Sequence, residues 1–478
     1  MEMRHLYLNG AWKEGREYLD LLSPYSGELI ARVAQAGEQD VDDAIAAAAA
    51  ASKVTAKMPA HNRALILENA ARIMEQRSEE LAVLLALEAA KPLRTGRGEI
   101  ARTIQTYKFA AEEAKRIHGE TVPLDAAPGG ERRLAFTLRK PIGVVGAITP
   151  FNFPFNLVAH KVGPAIAAGN TIVLKPASQT PLSALVLAEI FEEAGLPPGA
   201  LNIIPGKGSV VGEKLVRDSR VAAITFTGSP EVGIAMKNKA ALKRVTLELG
   251  SNSAVIVDGT VEITQPLVDR CVMGAFSFSG QVCISIQRIY VHESKFSTFA
   301  EMFKATVNKL VLGDPSDEST DISVLISKKE TERIAAWVNE AIAEGASVLT
   351  GGRVQDSGIF PPTVLLNVKE SSSVSCQEVF GPVVTLTPFA SLTDAIAAAN
   401  RSRFGLQAGI YSNHLQAAMQ AAEELEVGGV MINDIPTFRV DNMPYGGVKE
   451  SGFGREGVKY AVEEMTELKL ISFNLSGH

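Results

Sequence analysis

IGVVGAIT (142–149) is a short uncharged run of mostly apolar residues, which predicts a buried strand. Helical spacing follows over about 157–168, and TIVLK (171–175) then repeats the strand pattern. The alternation continues through four further strand-like segments: LNIIPG (201–206), AAITFTG (222–228), VTLEL (245–249) and AVIVDG (254–259). Strands that alternate with helices predict βαβ units and a parallel sheet, which binds ligands at the carboxyl ends of its strands.

The regions outside this run predict a second α/β unit and two extended segments. The strand-like segments IQRIYVH (286–292) and VVTLTPF (383–389) lie among predicted helices between about 261 and 445. Residues 121–143 place LAFTL between Pro and Gly breaks, which predicts an arm or hairpin outside the main body. LKLISFNL (468–475) predicts an exposed strand that needs a partner, so both extended segments suggest subunit assembly.

The composition is that of an ordinary globular protein. The chain has 478 residues, of which 46% are hydrophobic and 21% charged, and its formal net charge is −7. No dense Lys/Arg cluster suggests a nucleic-acid partner, no apolar run is long enough for a membrane helix, and no secretion signal is recognisable. Three scattered cysteines and seven histidines without metal-ligand spacing predict a cytoplasmic protein with no disulfide framework and no protein-built metal site.

One cysteine has a distinctive local sequence. Cys283 follows Gly280 and Gln281 in FSFSGQVCISIQR (276–288). The glycine permits an unusual backbone path and the close approach of a substrate, which would suit a nucleophilic thiol. The alternative is a buried structural cysteine, because cysteine is among the most buried residue types. The local sequence leaves both interpretations open.

Two polar residues near strand ends are candidates for acid–base and electrostatic roles. Glu248 lies at the end of the apolar strand VTLEL, where partial desolvation would raise the pKa of its carboxyl toward that of a useful base. Asn152 follows the first strand in ITPFNFPFN (148–156), and its amide could donate to a developing oxyanion. The alternatives are an exposed strand-end charge for Glu248 and an ordinary turn residue for Asn152.

Two Gly-rich turns join strands to helices in the first α/β run. They are GKGSVVG (206–212) and TGSPEVG (227–233), and neither has the full GxGxxG fingerprint of a dinucleotide site. Such a turn is often only a tight connection. Phosphate could nevertheless bind at the helix N-terminus that follows Ser229.

Seven motifs, spread in order over essentially the whole chain, resemble the aldehyde dehydrogenase superfamily. They are PFNFP (150–154), KPAS (175–178), FTGSPEVG (226–233), LELG (247–250), GQVC (280–283), EVFGP (378–382) and GGVKESGFGREG (446–457). Each motif alone is weak, but all seven in this order and at the family's spacings make a chance match very improbable.

The resemblance implies an α/β fold with a Rossmann-like cofactor domain, a second α/β catalytic domain and a small β arm for oligomerisation. The dinucleotide-binding domain would comprise residues 1–118 and 140–249, and the catalytic domain residues 250–449. The arm would comprise residues 119–139 and 450–478, in a homodimer or homotetramer.

The resemblance also implies roles for the three candidate catalytic residues. Cys283 would be the nucleophile, Asn152 and the backbone N–H of Cys283 the oxyanion hole, and Glu248 the general base. Thiolate addition to an aldehyde creates a tetrahedral carbon from which hydride can leave to the nicotinamide. Water activated by Glu248 would then hydrolyse the remaining thioester to the acid.

The same motifs imply the cofactor contacts. Lys175 would bind the adenosine ribose, Ser229 the pyrophosphate and Glu378 the nicotinamide ribose, while Phe380 would flank the nicotinamide. The other expected contacts are Thr149, Pro150, Phe151, Ser178, Gly208, Gly212, Phe226, Thr227, Gly228, Leu249 and Gly250.

Three positions depart from the pattern of many family members. Ser178 replaces an acidic residue that would repel a 2′-phosphate, which favours use of NADP without excluding NAD. Ser251-Asn252 replaces Gly-Lys after LELG, and Phe278 replaces an asparagine before the nucleophile. The sequence assigns no consequence to these last two departures.

The expected substrate is a short aldehyde that is neutral or singly charged, such as lactaldehyde or a semialdehyde. The SxSGQ pattern before Cys283 and PTFRVDNMPYGG (436–447) resemble branches that use lactaldehyde, glyceraldehyde phosphate or phosphonate aldehydes, and their anion-binding arginines match Arg102 and Arg439. His160 would line the entrance of the same substrate site. For both arginines, the alternative is an ordinary surface or interdomain salt bridge. Val282 stands where phosphate-using members often have another arginine, so a dianion would lose a charge-assisted contact.

Two other functions compete with this hypothesis. One is non-phosphorylating oxidation of a phosphorylated, phosphonate or sulfonate aldehyde, and the other is transfer of the acyl group to coenzyme A. Glu248 argues against the coenzyme A reaction, because a hydrolytic base would waste the thioester. A catalytically idle binding protein is disfavoured because Cys283, Asn152 and Glu248 are all present.

Overall fold

The computed structural model describes residues 2–476. Within these residues, the larger sheet has eight strands. In spatial order they are Gly452–Phe453, Arg244–Glu248, Val221–Thr227, Val144–Ile148, Thr171–Lys175, Leu201–Ile203, Leu6–Leu8 and Ala11–Lys13. The five strands from Arg244–Glu248 to Leu201–Ile203 run parallel, which confirms the predicted parallel sheet.

Helices cover this sheet, as the alternation of strands and helices predicts. They are Glu38–Thr55, Ala60–Gln76, Ser78–Ala89, Leu93–Ala114, Asn156–Ala168, Pro181–Glu193, Glu213–Arg217, Pro230–Lys239 and Val458–Glu464. Asn156–Ala168 is buried along its whole length, because it packs against Leu93–Ala114 on one side and the sheet on the other.

The second sheet has seven strands within the described part of the chain. Their spatial order is Ser347–Thr350, Thr363–Leu366, Val383–Phe389, Arg288–His292, Ala254–Val257, Gln407–Tyr411 and Gly429–Ile432. Its helices are Gln265–Phe276, Glu293–Val307, Lys328–Ala343, Ser373–Cys376, Leu392–Asn400 and Leu415–Glu424. The strand Ala254–Val257 pairs here with Arg288–His292, so grouping it with the first run of strands was wrong.

The extended segments pair with each other. Thr466–Asn474 runs antiparallel to Arg133–Pro141 over nine residue pairs, and Thr121–Val122 completes this small sheet. The partner that the C-terminal strand needed is therefore another segment of the same chain. From residues 450–478 the small sheet takes only this strand, because Gly452–Phe453 pairs with the larger sheet.

Two further small strand groups complete the fold. One consists of Met3–Arg4, Leu29–Gln35 and Glu17–Leu22, and the other of Phe404–Gly405 and Val448–Lys449. Among the described helices, none has both the length and the apolar character needed to cross a membrane.

Candidate active site

The loop that precedes Cys283 has an unusual backbone. Phe278, Ser279 and Gly280 are consecutive residues in the left-handed region, with φ of 49°, 53° and 70°. A Cβ at Gly280 would overlap the carbonyl oxygen of Gly381, so only glycine fits there. Left-handed non-glycine residues persist only where the surrounding structure holds them, and such strain concentrates at functional sites. The loop delivers Cys283 to the point where two cavities meet.

The Cys283 thiol has one close polar neighbour, a residue that the sequence analysis did not select. Its Sγ lies 2.9 Å from the hydroxyl oxygen of Tyr445. Burial raises the pKa of the Cys283 thiol to about 11, and the Tyr445 hydrogen bond opposes that rise. Tyr445 lies in the quoted segment PTFRVDNMPYGG, but no spacing in that segment indicates which residue meets the nucleophile.

Glu248 occupies the carboxyl end of the strand Arg244–Glu248 and is 3% exposed. Neither of its carboxylate oxygens has a hydrogen-bond partner among the described residues. Burial raises the pKa of the Glu248 carboxyl well above its ordinary value, and the neighbouring Glu456 carboxylate adds to the rise. A desolvated carboxyl at a strand end is what the sequence predicted. The alternative of an exposed charge does not hold.

Asn152 is buried beside the nucleophile loop. Its side-chain Nδ2 donates to the carbonyl oxygen of Gln281 at 2.9 Å, while its Oδ1 has no partner in the described part of the chain. Asn152 and Cys283 both line the larger cavity. The Asn152 amide is thus bonded to a residue only two positions before the nucleophile, although Asn152 itself is distant from Cys283 in sequence.

A buried ion pair supports the Asn152 loop. Lys91 and Glu99 are both fully buried and hydrogen-bonded to each other. Lys91 Nζ also donates to the backbone oxygen of Asn152 at 2.5 Å and lies 3.9 Å and 4.4 Å from the ring centres of Phe153 and Phe278. Phe278, whose role the sequence left unassigned, therefore forms part of an aromatic clamp on the Lys91 ammonium.

The Glu99 carboxylate accepts from the backbone N–H groups of Phe155 and Asn156 at 2.9 Å and 3.1 Å. The first turn of the helix Asn156–Ala168 is therefore tied to the same ion pair. No local pattern in the sequence revealed this pair, since Lys91 precedes a helix and Glu99 lies within it.

The larger cavity is a cleft of about 600 Å³ between the two sheets. Of the expected cofactor contacts, it is lined by Pro150, Phe151, Thr227, Gly228, Ser229, Leu249, Gly250, Glu378 and Phe380. Phe151 and Phe380 meet edge to face at 5.7 Å between ring centres. The residues from the first sheet lie at strand ends or in the loops that follow them, as expected for a ligand site of an open α/β sheet, whereas Glu378 and Phe380 lie between the helix Ser373–Cys376 and the strand Val383–Phe389.

Two observations on the residues of the cleft are compatible with a bound polar ligand such as a nicotinamide dinucleotide. The buried hydroxyl of Thr227 has no hydrogen-bond partner within residues 2–476, so a ligand can supply one. A Cβ at Gly250 would overlap the Glu378 carboxylate. Only glycine at this position therefore leaves room for the carboxylate to accept a hydrogen bond from the Ser251 N–H at 2.9 Å. Burial raises the pKa of the Glu378 carboxyl to about 7.

Six expected cofactor residues do not line this cleft. Lys175 is buried, its Nζ donates to the Pro176 carbonyl at 3.0 Å, and burial lowers the pKa of its ammonium to about 8. Phe226 belongs to the core, where its ring packs against Gly228 and Gly233. The other four are Thr149, Ser178, Gly208 and Gly212. Thr149 and Ser178 follow the strands Val144–Ile148 and Thr171–Lys175, and the two glycines are the ends of the short π-helical segment Gly208–Gly212.

The smaller cavity, of about 350 Å³, has a different character. Four arginines line it, and each is paired with a carboxylate: Arg94 with Asp321, Arg102 with Asp441, Arg270 with Asp434, and Arg439 with Glu456. Apolar residues complete the wall, among them Val282, Ile284 and Phe438. Arg94 and Arg270 were missed by the sequence analysis, because lone arginines in helices carry no local signal.

His160 does not line this cavity, contrary to the expectation from the sequence. Its Nε2 lies 2.8 Å from Asp441 Oδ1, and the same carboxylate accepts from Arg102 at 2.7 Å. Burial lowers the pKa of the His160 imidazole, and the nearby Arg439 cation lowers it further. The imidazole therefore does not face the cavity. Its hydrogen bond orients the Asp441 carboxylate, which pairs with Arg102.

Ser251-Asn252 also has a structural explanation. Asn252 Nδ2 donates to the Ser375 carbonyl at 2.9 Å, and its Oδ1 accepts from the Ser402 hydroxyl at 2.7 Å. These bonds tie the segment between the strands Arg244–Glu248 and Ala254–Val257 to the helix Ser373–Cys376 and to the turn before Phe404–Gly405. The asparagine thus fixes local backbone in place of the lysine that many family members have there.

Comparison with known proteins agrees with this geometry. The model of the aldehyde dehydrogenase family matches residues 12–471. A 3-sulfolactaldehyde dehydrogenase of Priestia aryabhattai is 49% identical over 472 residues, which are 98% of each chain.

Two solved structures are also similar. Aldehyde dehydrogenase 21 from Physcomitrella patens, in complex with the reaction product succinate, is 42% identical with a TM-score of 0.97, over 100% of this chain and 99% of that one. A glyceraldehyde-3-phosphate dehydrogenase of Methanocaldococcus jannaschii, complexed with NADP, is 41% identical with a TM-score of 0.92, over 96% and 99%. The chain belongs to the aldehyde dehydrogenase family and is an oxidoreductase that uses NAD or NADP.

Proposed function

We propose that this enzyme oxidises a short aldehyde carrying no more than one negative charge to its carboxylate, through a thioester on Cys283. The observation that carries the proposal is the position of Cys283, which lies where an arginine-lined cavity meets a dinucleotide cleft. An aldehyde held in the first cavity would present its carbonyl carbon to Sγ, with the cofactor approaching from the other side.

The first step is addition of the Cys283 thiolate to the carbonyl carbon. The charge that develops on the aldehyde oxygen would be stabilised by the Asn152 amide and the Cys283 backbone N–H. The Asn152 amide is preorganised, since Asn152 is fixed by Gln281 and by the buried Lys91. A fixed donor avoids the reorganisation that water would need at this moment.

The dinucleotide would be held by the residues of the cleft. Thr227, Ser229 and Glu378 supply polar atoms, Phe380 an apolar flank, and Lys175 a cation at the neighbouring strand end. When bound, NAD or NADP accepts the hydride from the tetrahedral carbon. Ser178 is exposed and uncharged, so a 2′-phosphate meets no carboxylate from this residue and use of NADP is favoured.

Glu248 acts in the second half of the reaction. Its carboxylate would take a proton from the water that attacks the thioester carbonyl, which releases the acid and frees Cys283. The unpartnered oxygens and raised pKa of Glu248 suit this role, because the group is an effective base without being locked into an ion pair. The acyl group then leaves as a carboxylate rather than as an ester of coenzyme A.

The charge of the substrate follows from the smaller cavity. Every arginine there already has a carboxylate partner, and Val282 beside the nucleophile adds no cation. One guanidinium can share its donors with a single carboxylate or sulfonate, whereas a dianion would be undercompensated. The relative's substrate sulfolactaldehyde belongs to the sulfonate alternative given above but carries one negative charge, and the succinate of the solved structure is the product of an aldehyde with one carboxylate. Both names therefore fit a singly charged substrate.

The small sheet supports assembly into a homodimer or homotetramer. Leu468, Leu470 and Phe473 on the strand Thr466–Asn474 are each about half exposed. An apolar edge strand of this kind is usually covered by another chain. The three free thiols suit a reducing cytoplasm, where we place the enzyme.

A panel of aldehydes tests the proposal. Lactaldehyde, succinic semialdehyde, sulfolactaldehyde and glyceraldehyde 3-phosphate are each offered with NAD and NADP, with and without coenzyme A. We expect the highest kcat/KM for a neutral or singly charged aldehyde and no requirement for coenzyme A. The Cys283→Ala variant is the matched control and should form no NAD(P)H. Preference for the phosphate, or dependence on coenzyme A, would contradict the proposal.

A further inference from the structure

Tyr445 touches the reacting sulfur and has no part in the mechanism described above. Its hydroxyl oxygen lies 2.9 Å from Cys283 Sγ, and its side chain lines the arginine-rich cavity. We infer that the Tyr445 hydroxyl is a catalytic hydrogen-bond donor that stabilises the Cys283 thiolate before it attacks the aldehyde. The inference rests on the proposed role of Cys283 as the nucleophile.

The tyrosine is held rigidly in this position. It is 2% exposed, and its backbone exchanges hydrogen bonds with Glu456 in both directions, at 3.0 Å and 2.7 Å. The Arg439 guanidinium lies 3.6 Å from the centre of the Tyr445 ring. That guanidinium is itself paired with Glu456. The Tyr445 ring is therefore held by its backbone hydrogen bonds to Glu456 and by the Arg439 cation stacked on its face.

The clamp continues into the core. Glu456 accepts from the buried ammonium of Lys161 at 2.9 Å, and Lys161 also donates to the Thr225 hydroxyl at 3.0 Å. Burial alone would raise the pKa of the Glu456 carboxyl, but Lys161 and the other neighbouring cations hold it at about 2. The carboxylate thus stays charged and keeps Arg439 over the ring. This series of buried contacts therefore fixes the position of the Tyr445 hydroxyl oxygen.

Charge decides which partner donates. Burial raises the pKa of the Tyr445 phenol well above its ordinary value, so the phenol keeps its proton. When Cys283 ionises, the S–H bond breaks, the proton passes to water, and the electron pair stays on Sγ. The Tyr445 O–H can then donate to that anion without giving up its own proton. Hydrogen bonds to charged acceptors are stronger than those to neutral ones, so the contact favours the thiolate.

The other charged groups that face Cys283 are Arg439, Glu378 and Glu248. Arg439 favours the thiolate, whereas the two carboxylates oppose it. Only the Tyr445 hydroxyl forms a direct hydrogen bond to Sγ among the described residues. Tyr445 therefore affects the Cys283 thiolate through a direct hydrogen bond, whereas the three charged neighbours affect it through longer-range electrostatic interactions.

The Tyr445→Phe variant tests the inference, because it keeps the ring beneath Arg439 and removes only the hydroxyl. The measurement is the rate constant for alkylation of Cys283 by iodoacetamide in the free enzyme, followed by peptide mass from neutral to strongly alkaline pH. We expect a rate about tenfold lower than in the wild type at neutral pH, corresponding to a rise of about one unit in the pKa of the thiol. The two curves should converge at alkaline pH.

The pH dependence of the ratio between the two alkylation rates separates the possible outcomes. A rate ratio that stays constant with pH would mean that only access to the thiol changed, and it would overturn the inference. Identical curves would do the same. Tyr460→Phe is the matched control, since it removes a tyrosine hydroxyl with no hydrogen bond to a cysteine, and it should reproduce the wild-type curve.

Turnover provides an independent measurement. Tyr445→Phe should lower the rate of the NAD(P)H burst and leave the unfolding temperature unchanged. If alkylating Cys283 in the wild type does not abolish aldehyde oxidation, the proposed function fails. If alkylation does abolish it while Tyr445→Phe alkylates like the wild type, only the role of Tyr445 fails.

Discussion

The two cavities that meet at Cys283 differ in how their polar groups are satisfied. In the smaller, arginine-lined cavity, all four arginines are already paired with carboxylates. In the larger cleft, both oxygens of Glu248 and the hydroxyl of Thr227 lack partners within residues 2–476. The guanidinium charges of the first cavity are therefore paired before any ligand arrives, and of its arginines only Arg439 has a buried nitrogen, Nε, without a hydrogen-bond partner among the described residues. The cleft instead contains carboxylate and hydroxyl oxygens that a ligand or a water molecule must satisfy.

This difference has an energetic meaning. Of the four pairs only Arg439–Glu456 is buried on both sides. A buried ion pair costs desolvation but holds its side chains in one geometry, and removing one partner leaves an uncompensated charge. Buried polar groups without partners cost free energy in the folded state, and native proteins keep few of them. We infer that the paired cavity selects a substrate by shape and residual charge, whereas the unpaired cleft retains its groups for binding and proton transfer.

The largest effect is expected for Glu248→Gln, which removes the base from the unpaired cleft. This variant should still acylate, with a burst of one NAD(P)H per active site, but steady-state turnover should fall by about 10²- to 10⁴-fold. Rapid-mixing measurement of NAD(P)H formation checks both numbers. Undiminished turnover would contradict the proposed role of Glu248.

The pH profile sharpens the same test. Because burial raises the pKa of Glu248, its carboxyl is protonated in a larger fraction of molecules at neutral pH than an exposed glutamate would be. The active carboxylate accumulates as the pH rises, so wild-type deacylation should accelerate toward alkaline pH. The residual deacylation in Glu248→Gln should lack this dependence.

An intermediate effect is expected for Arg102→Gln in the paired cavity. The KM for a singly charged aldehyde should rise about tenfold or more, because one charge-assisted contact is lost, while the KM for lactaldehyde should change little. Steady-state kinetics with both substrates provide the measurement. Arg94→Gln is the matched control, since the Arg94 side chain is 68% exposed and should matter less.

The double variant Arg102→Gln/Asp441→Asn separates two causes. The single change leaves Asp441 with His160 as its remaining partner, and this could disturb the site for any substrate. If the double variant restores the KM for lactaldehyde but not that for the anion, Arg102 contacts the substrate. Equal losses for both aldehydes would mean that Arg102 is only structural.

The smallest effect is expected for Ser178→Glu, at the rim of the unpaired side. An added carboxylate should repel a 2′-phosphate and lower kcat/KM for NADP about tenfold, with little change for NAD. Parallel titrations with the two cofactors check this result. Equal effects on both would show that Ser178 does not face the 2′ position.

Periodicity was sufficient to predict the parallel strands of the larger sheet and the presence of a second α/β unit. The strands Thr171–Lys175 and Val383–Phe389 have the bounds that their apolar runs indicated. The alternation of strands and helices grouped Ala254–Val257 with the wrong sheet, because a buried strand carries no label for the sheet it joins, whereas the bounds implied by the resemblance put it in the second domain. Periodicity did not indicate that Thr466–Asn474 pairs with Arg133–Pro141, more than 300 residues away, and only the resemblance grouped these segments in one arm.

The sequence by itself determined which residues could perform the chemistry: Cys283, Glu248 and Asn152 lie in motifs whose order and spacing resemble one family. Only the tertiary structure decided what surrounds them. Tyr445 contacts the thiol, and His160 bonds to Asp441 instead of lining the cavity, because packing brings together residues that are distant in sequence. Burial then sets the pKa of each group, and burial is a property of the folded chain, which no local pattern encodes.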